Sequence, residues 1–442
     1  MSNSFLSSIA SKLARDYILT SKWVLALVLT IVATTVYSGG VFDRLDHLAL
    51  DLSFKIRGRQ FTNPKIVIVE IAEDSIRKIG RWPWDRKWHA TIVKALKDFG
   101  AKAIAFDILF SEEHDPTSDN LLAKVIEDAG NVYVPAAFNE MNGDRVARIV
   151  DSIPRLRDAA RREGNISVQL DPDGILRRLR LRVMLDDKPF YQLGFLMALD
   201  EFGIPPEDVE FRKRSVFLPV PGNPDIQIPL TDEGEFLIDW PGLWTESFRH
   251  VSFIDVVYAY TQWLKGEDTR IPVSMFDGAF CIIGVSATGL FDIRATPVES
   301  AYPAVGVNAA VMNSVIEKKF LRPVGDRINI AILWILSAII FLVMLRSNYL
   351  ETMILVALLA AGVAAAALAL FVIGGIVISV VYPLFLIFTS YLSMTAFHQI
   401  IISVEKNRLM RLATTDALTG LYNIAHFKRL LQAELSSAKI RT

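Results

Sequence analysis

The sequence of 442 residues contains one cysteine, Cys281. No intramolecular disulfide is available, so any part in an oxidising compartment must be held by packing alone. Cys281 lies in the apolar stretch 280–283 and reads as a buried structural thiol. Histidine is also scarce, with six in the chain, and together with the single cysteine this argues against a structural zinc site. An excess charge of one sign is missing: 47 Lys and Arg face 48 Asp and Glu. That balance offers no general nucleic-acid surface. The motifs G-x-x-x-x-G-K-S/T, G-x-S-x-G, G-x-G-x-x-G, H-E-x-x-H and C-x-x-C are all absent. No catalytic residue and no metal ligand is therefore assigned, and sensing or binding is favoured over chemistry outside the membrane.

Charge is missing locally as well. Residues 23–42 and 328–345 carry none, and 352–404 contain no Asp, Glu, Lys or Arg. A bilayer core takes about 20 apolar residues per helix, so the last run is long enough for two spans, with a turn at Gly374-Gly375. Four spans are expected, at 23–42, 328–345, 352–373 and 376–399. Lys12, Arg15 and Lys22 precede the first against Asp16 alone. Lys406, Arg408 and Arg411 follow the last against Glu405. Both ends, including 1–22, therefore read as cytoplasmic and 43–327 as outside. Lys318, Lys319, Arg322 and Arg327 oppose this rule on the outer side. A cleaved signal peptide is the rival reading for 23–42.

The outer segment alternates strand and helix patterns. Residues 66–71 (IVIVEI), 103–107 (AIAFD), 132–136 (VYVPA) and 280–285 (FCIIGV) read as buried parallel strands. Helical spacing covers 88–99, 121–129 and 305–315. This order implies a parallel sheet with right-handed crossovers. The stretch 164–250 reads as an antiparallel insertion, with a hairpin across Asp173-Gly174 and a second pair flanking Gly234. The fold class is an α/β mixed-sheet outer domain plus four membrane helices and a short helical inner tail.

Ligands of open α/β sheets sit beyond the carboxyl ends of the strands. Three of these strands run into charged residues there: Glu73 and Asp74, Asp107, then Asp292 and Arg294. Converging, they would form a cleft for a cation or a small polar ligand. Otherwise they cap helices and close turns.

Several blocks stand out along the outer segment. They are Ile68-Val69-Glu70-Ile71-Ala72-Glu73-Asp74-Ser75-Ile76, Gly80-Arg81-Trp82-Pro83-Trp84-Asp85-Arg86 and Phe106-Asp107-Ile108-Leu109-Phe110-Ser111-Glu112. Asp173-Gly174-Ile175-Leu176-Arg177-Arg178 and Ile283-Gly284-Val285-Ser286-Ala287-Thr288-Gly289-Leu290 follow, with Thr296-Pro297 after them. Over about 43–325 the chain resembles the type-two CHASE domain, an extracellular sensory module of bacterial receptors that is typically followed by three close spans. One departure is Val305-Gly306-Val307-Asn308-Ala309, where the resemblance leads to Pro-Gly-Val and a His before the Ala.

Behind the last span, Thr415-Asp416-Ala417-Leu418-Thr419-Gly420-Leu421-Tyr422-Asn423 is similar to the opening of a GGDEF domain, the diguanylate cyclase module. Its motif positions here are Asp416, Leu418, Thr419, Gly420 and Asn423. Ile424 and Ala425 stand where two Arg are usual. The resemblance implies that 400–414 is a signalling helix and 415–442 only the start of the cyclase. The carboxylates for Mg²⁺ and the groups for GTP would lie past Thr442, so this chain itself holds no cofactor. Expected partners are membrane lipid, a second copy in a homodimer and an unidentified outer stimulus, without nucleic acid. The expected setting is a bacterial inner membrane. Two alternatives stay open: a non-enzymatic membrane sensor or scaffold, and a receptor with a class III nucleotide cyclase or histidine kinase output.

Overall fold

The computed structural model describes residues 2–138, 141–287, 289, 292–345, 349–416 and 419–440. The chain divides into two units, 43–329 with 366–379, and 1–42 with 330–365 and 380–442.

The first unit is built on a seven-stranded sheet. Its six mutually parallel strands are β1 (Ile66–Ile71), β2 (Ala103–Asp107), β3 (Val132–Phe138), β4 (Arg162–Asn165), β5 (Arg249–Ser252) and β6 (Phe280–Val285). Their spatial order is β5-β1-β6-β2-β3-β4, and Ile149–Val150 adds an antiparallel edge to β3. The strands are apolar on both faces because both faces are covered. Ile66, Ile68, Ala103, Ala105, Phe280 and Ile282 pack with helices Leu193–Glu201 and Val305–Ile316. Val67, Val69, Ile104, Phe106, Cys281 and Ile283 pack with Arg86–Asp98, Pro116–Ala129 and Phe253–Leu264. Cys281 is fully buried, and burial pushes its thiol well above the usual range.

The Trp-Pro-Trp block lies under this second face. His89 is buried among the rings of Trp82, Trp84, Phe106, Phe110 and Phe253. Burial pushes the imidazole down to about 3, so it is neutral at physiological pH.

The middle of the chain is antiparallel, but its pairing differs from the sequence reading. Residues 171–175 form a closed turn, with Gly174 N bonded to Asp171 O (2.8 Å) and Asp171 N to Ile175 O (3.1 Å). Its aspartates are drawn onto Arg177, and 166–170 form no strand. The hairpin lies further on, between Arg182–Leu185 and Lys188–Tyr191. Its two turn residues, Asp186 and Asp187, have φ of 47° and 62°, the left-handed pair that a tight hairpin needs. The segments either side of Gly234 do not pair with each other. Ile226–Pro229 pairs Ser215–Leu218, and Phe236–Leu237 returns to Arg178–Leu179.

Helix Asp43–Arg57 is tied into this unit by buried charge. Arg177 donates to both carboxylate oxygens of Asp51 (2.7 Å each), to Asp171 (2.9 Å) and to Asp173 (2.8 Å). Arg57 pairs with Asp239 at 2.6 Å and lies 5.0 Å from the ring centroids of Phe54 and Phe371.

The second unit is helical. Among the described residues four helices are long and apolar enough to cross a membrane: Thr20–Ser38, Asp326–Met344, Leu350–Gly374 and Val381–Thr414. Leu333, Leu336, Ile340, Val356, Tyr382 and Leu386 form the unit's interior, while Leu27, Ile31, Ile335, Leu342, Leu358 and Phe388 face outward. That exposed apolar shell suits lipid as the surrounding solvent. The last of these helices begins at Val381 rather than at 376, because Ile376–Val377 pairs in parallel with Arg322–Pro323. It then continues unbroken through 400–414.

Candidate functional site

The carboxyl ends of β5, β1, β6 and β2 lie side by side. The register sets Glu70 beside Ser252 and Gly284, and Asp107 beside Gly284. Two strand spacings of about 4.8 Å thus separate the backbones of Glu70 and Asp107. Side chains alternate along a strand, so both acids share the face of Ile68 and Ala105. A Cβ on Gly284 would meet Val305 Cγ2 at 2.5 Å. Glycine therefore lets helix Val305–Ile316 settle on the sheet edge between the two acids.

That helix delivers Asn308, which stands where the resemblance led to a histidine. Its Nδ2 donates to Asp107 Oδ1 (3.0 Å), and its Oδ1 accepts from Gln192 Nε2 (2.6 Å). Gln192 Oε1 in turn accepts from Phe195 N (2.8 Å) and caps helix Leu193–Glu201. The loop after β6 brings Asp292 and Arg294 to the same edge. The two are bonded to each other, and both act electrostatically on Asp107. Burial first, and the Asp292 charge second, push Asp107 up to about 7, against the Asn308 hydrogen bond and the Arg294 charge. Arg294 Nε is buried and has no hydrogen-bond partner among the described residues.

Asp107, Asp292 and Arg294 are therefore brought together. Glu73 and Asp74 belong to the first turn of helix Glu73–Ile79 instead. Glu73 is exposed there, and Asp74 accepts from Ser75 N (2.7 Å) and Ser252 Oγ (2.6 Å). The acid that β1 contributes to the edge is Glu70, which the sequence reading passed over. It contacts His250 Nδ1 and accepts from Ser286 Oγ (2.6 Å). The signal was present: Glu70 is the one charge in an otherwise apolar strand.

Among the described residues no three His, Cys, Asp or Glu side chains are grouped to hold a metal ion. A cation would also meet Arg294. The donors and acceptors at Asp107, Asn308 and Arg294 suit a small polar molecule better.

The CHASE2 domain family matches residues 24–346, most of the chain. The chain belongs to the CHASE2 family. A CHASE2 domain is an extracellular sensor domain of signalling receptors, so this protein carries a sensor domain flanked by helices able to span a membrane. No curated protein and no solved structure matches it. The acid edge lies within the CHASE2 match, whereas the segment behind the last long helix lies outside it.

That segment closes on itself. Asp416 accepts from Thr419 N and Thr419 Oγ1 (3.0 Å each), and Gly420 takes φ +71° to complete the turn. Asn423 Nδ2 donates to Ala413 O (2.8 Å), and its Oδ1 accepts from His426 N (2.9 Å). Asn423 thereby joins the end of one helix to the start of the next, Ile424–Ile440. Leu418 lies outside the described residues.

The raised Asp107 gives a test with a defined sign. Its folded value exceeds the unfolded one, so the group stabilises the protein below about pH 4 and loses that contribution as pH rises through about 7. Asp107→Asn is expected to melt higher than the parent at pH 8, with the gap closing toward pH 4. Melting curves across that range check it. A gap that is constant with pH contradicts the assignment.

Proposed function

We propose that this CHASE2 protein is the sensory and membrane part of a receptor that controls cyclic di-GMP synthesis through a C-terminal GGDEF domain. The observation that carries the reading is the continuity of the helix Val381–Thr414 with the turn built by Asp416, Thr419, Gly420 and Asn423. A diguanylate cyclase joins two GTP molecules, and two such domains must meet for that. Ile402, Leu409 and Leu412 are exposed on the helix and spaced seven and three apart, a short seam for the same helix of a second copy. Glu405 interrupts it, which keeps the pairing weak and adjustable.

The stimulus in this reading is a small polar ligand at Asp107, Asn308, Asp292 and Arg294. It acts by binding one packing of the helices better than another. The chain sits in a bacterial inner membrane with the CHASE2 domain outside and both flanks inside, as the Lys and Arg distribution supports. A reporter active only in the cytoplasm is expected to work when fused after Arg411, and one active only outside when fused after Glu233. Cytoplasmic activity at Glu233 overturns the topology. Joining residues 1–423 to an intact cyclase domain is expected to give cyclic di-GMP output that Asp107→Ala or Arg294→Ala alters. Output indifferent to both substitutions overturns the ligand site at Asp107 and Arg294.

A further inference from the structure

Lys318, Lys319, Arg322 and Arg327 are out of place under the charge rule for membrane flanks, and the structure gives three cations in this region a shared destination. Arg214, Lys318 and Arg322 line a cavity of about 530 Å³ with Phe320, Gln227 and Pro229. One carboxylate, Asp225, faces the same space. Among the described residues no ion pair engages Lys318 or Arg322. Arg214 is fixed in place. Its Nη2 donates to Pro323 O (2.7 Å), its Nη1 lies 3.4 Å from Asp232, and it fills the space where a Cβ of Gly325 would be.

The depth of the cavity is set by the backbone. Arg322 N donates to Gly375 O (2.7 Å), and Arg322–Pro323 pairs Ile376–Val377. Gly375 directly follows the apolar helix that ends at Gly374, and Asp326, just past Arg322 in the chain, opens the apolar helix before it. Arg322 is thus held where these helices leave the apolar layer, the level of lipid headgroups. Lys318 has φ +54° just past the end of helix Val305–Ile316, a position that glycine fills without strain. Lys318 lines the cavity against that backbone preference, with its ammonium 5.7 Å from the ring centroid of Phe202.

We propose that this cavity binds the phosphate of an anionic phospholipid headgroup. With Arg214 already paired to Asp232, Lys318 and Arg322 still outnumber Asp225, and that balance favours an anion. A guanidinium such as Arg322 matches a phosphate in a forked, charge-assisted pair. The volume falls within the range of small-ligand sites. The assignment rests on the apolar helices entering a bilayer, not on which side the CHASE2 domain faces.

The test is native mass spectrometry of the whole purified chain offered equal phosphatidylglycerol and phosphatidylcholine. The parent is expected to retain several-fold more phosphatidylglycerol. R322E is expected to bring that ratio near one, and R212E, a surface change at the exposed pair with Glu210, to leave it unchanged. K318G is expected to raise the melting temperature while lowering the ratio, which separates lost binding from lost folding. Equal retention of both lipids by the parent, or an unchanged ratio in R322E, overturns the proposal. Displacement of bound phosphatidylglycerol by matched sn-glycerol 3-phosphate supports the phosphate site and assigns its source to a soluble anion. Membrane entry is read separately from the two reporter fusions, so failure of the spans and failure of this site are distinguishable.

Discussion

Arg177→Ala is expected to prevent stable folding of the CHASE2 domain. Arg177 is 2% exposed, and three aspartates converge on it. Removing it leaves the buried Asp51 without its cation, leaves the buried Asp171 with Arg178 alone (2.7 Å), and takes a bidentate partner from Asp173. Breaking a buried ion pair from one side costs about 3–5 kcal/mol. That is a large share of the ~5–15 kcal/mol by which a domain is stable. Arg177→Lys is expected to recover part of the loss, since one ammonium cannot serve three carboxylates in a fixed fork. Thermal melting of the purified protein checks both. A loss below about 1 kcal/mol, typical of an exposed pair, would mean that the cluster is solvated rather than buried. The consequence for signalling is positional. Asp51 lies on the helix Asp43–Arg57 that enters the sensor domain just after the first apolar span, so the cluster fixes that entry.

Gly194→Ala is the second large effect. A Cβ at Gly194 would lie 2.2 Å from Asn308 O and 3.0 Å from Asn308 C. The obstacle is backbone, so no rotamer change relieves it. Helices Leu193–Glu201 and Val305–Ile316 must move apart, and overpacking of this kind costs about 1–3 kcal/mol, occasionally more. Gln192 and Asn308 lie beside this contact, so the shift also loosens the hydrogen bonds that reach Asp107. The expected result is a lower melting temperature together with a weaker pH dependence from Asp107. A melting temperature within a degree of the parent would show that the helices are not packed this closely.

The two changes mark what the sequence could and could not disclose. The strands at 66–71, 103–107 and 280–285 were legible because each is a short β-branched or apolar run buried on both faces. Their neighbours were not. β6 lies between β1 and β2, although about 175 residues separate it from β2 in the chain, and periodicity carries no information on such long-range pairing. The hairpin placed at Asp173-Gly174 followed the Asp-Gly turn signal. Arg177 redirects those aspartates, and only tertiary structure reveals that. Asp107, Asp292 and Arg294 were found by the rule for strand ends. Glu70, His250, Asn308 and Gln192 were missed because each gains its meaning from a partner more than 100 residues away. The departure at Asn308 was visible in sequence, but its contact with Asp107 was not.

In the proposed receptor the helix Val381–Thr414 carries its rotational register into the output domain. This claim is tested by insertions after Lys406 in residues 1–423 joined to a complete diguanylate cyclase domain. One residue turns the downstream part by about 100° at 3.6 residues per turn. Seven residues bring it back to within about 20°. Cyclic di-GMP production is expected to change strongly with the single insertion and to return close to the parent level with seven. Equal output from both, at the parent level, would contradict the claim and make the segment a passive tether.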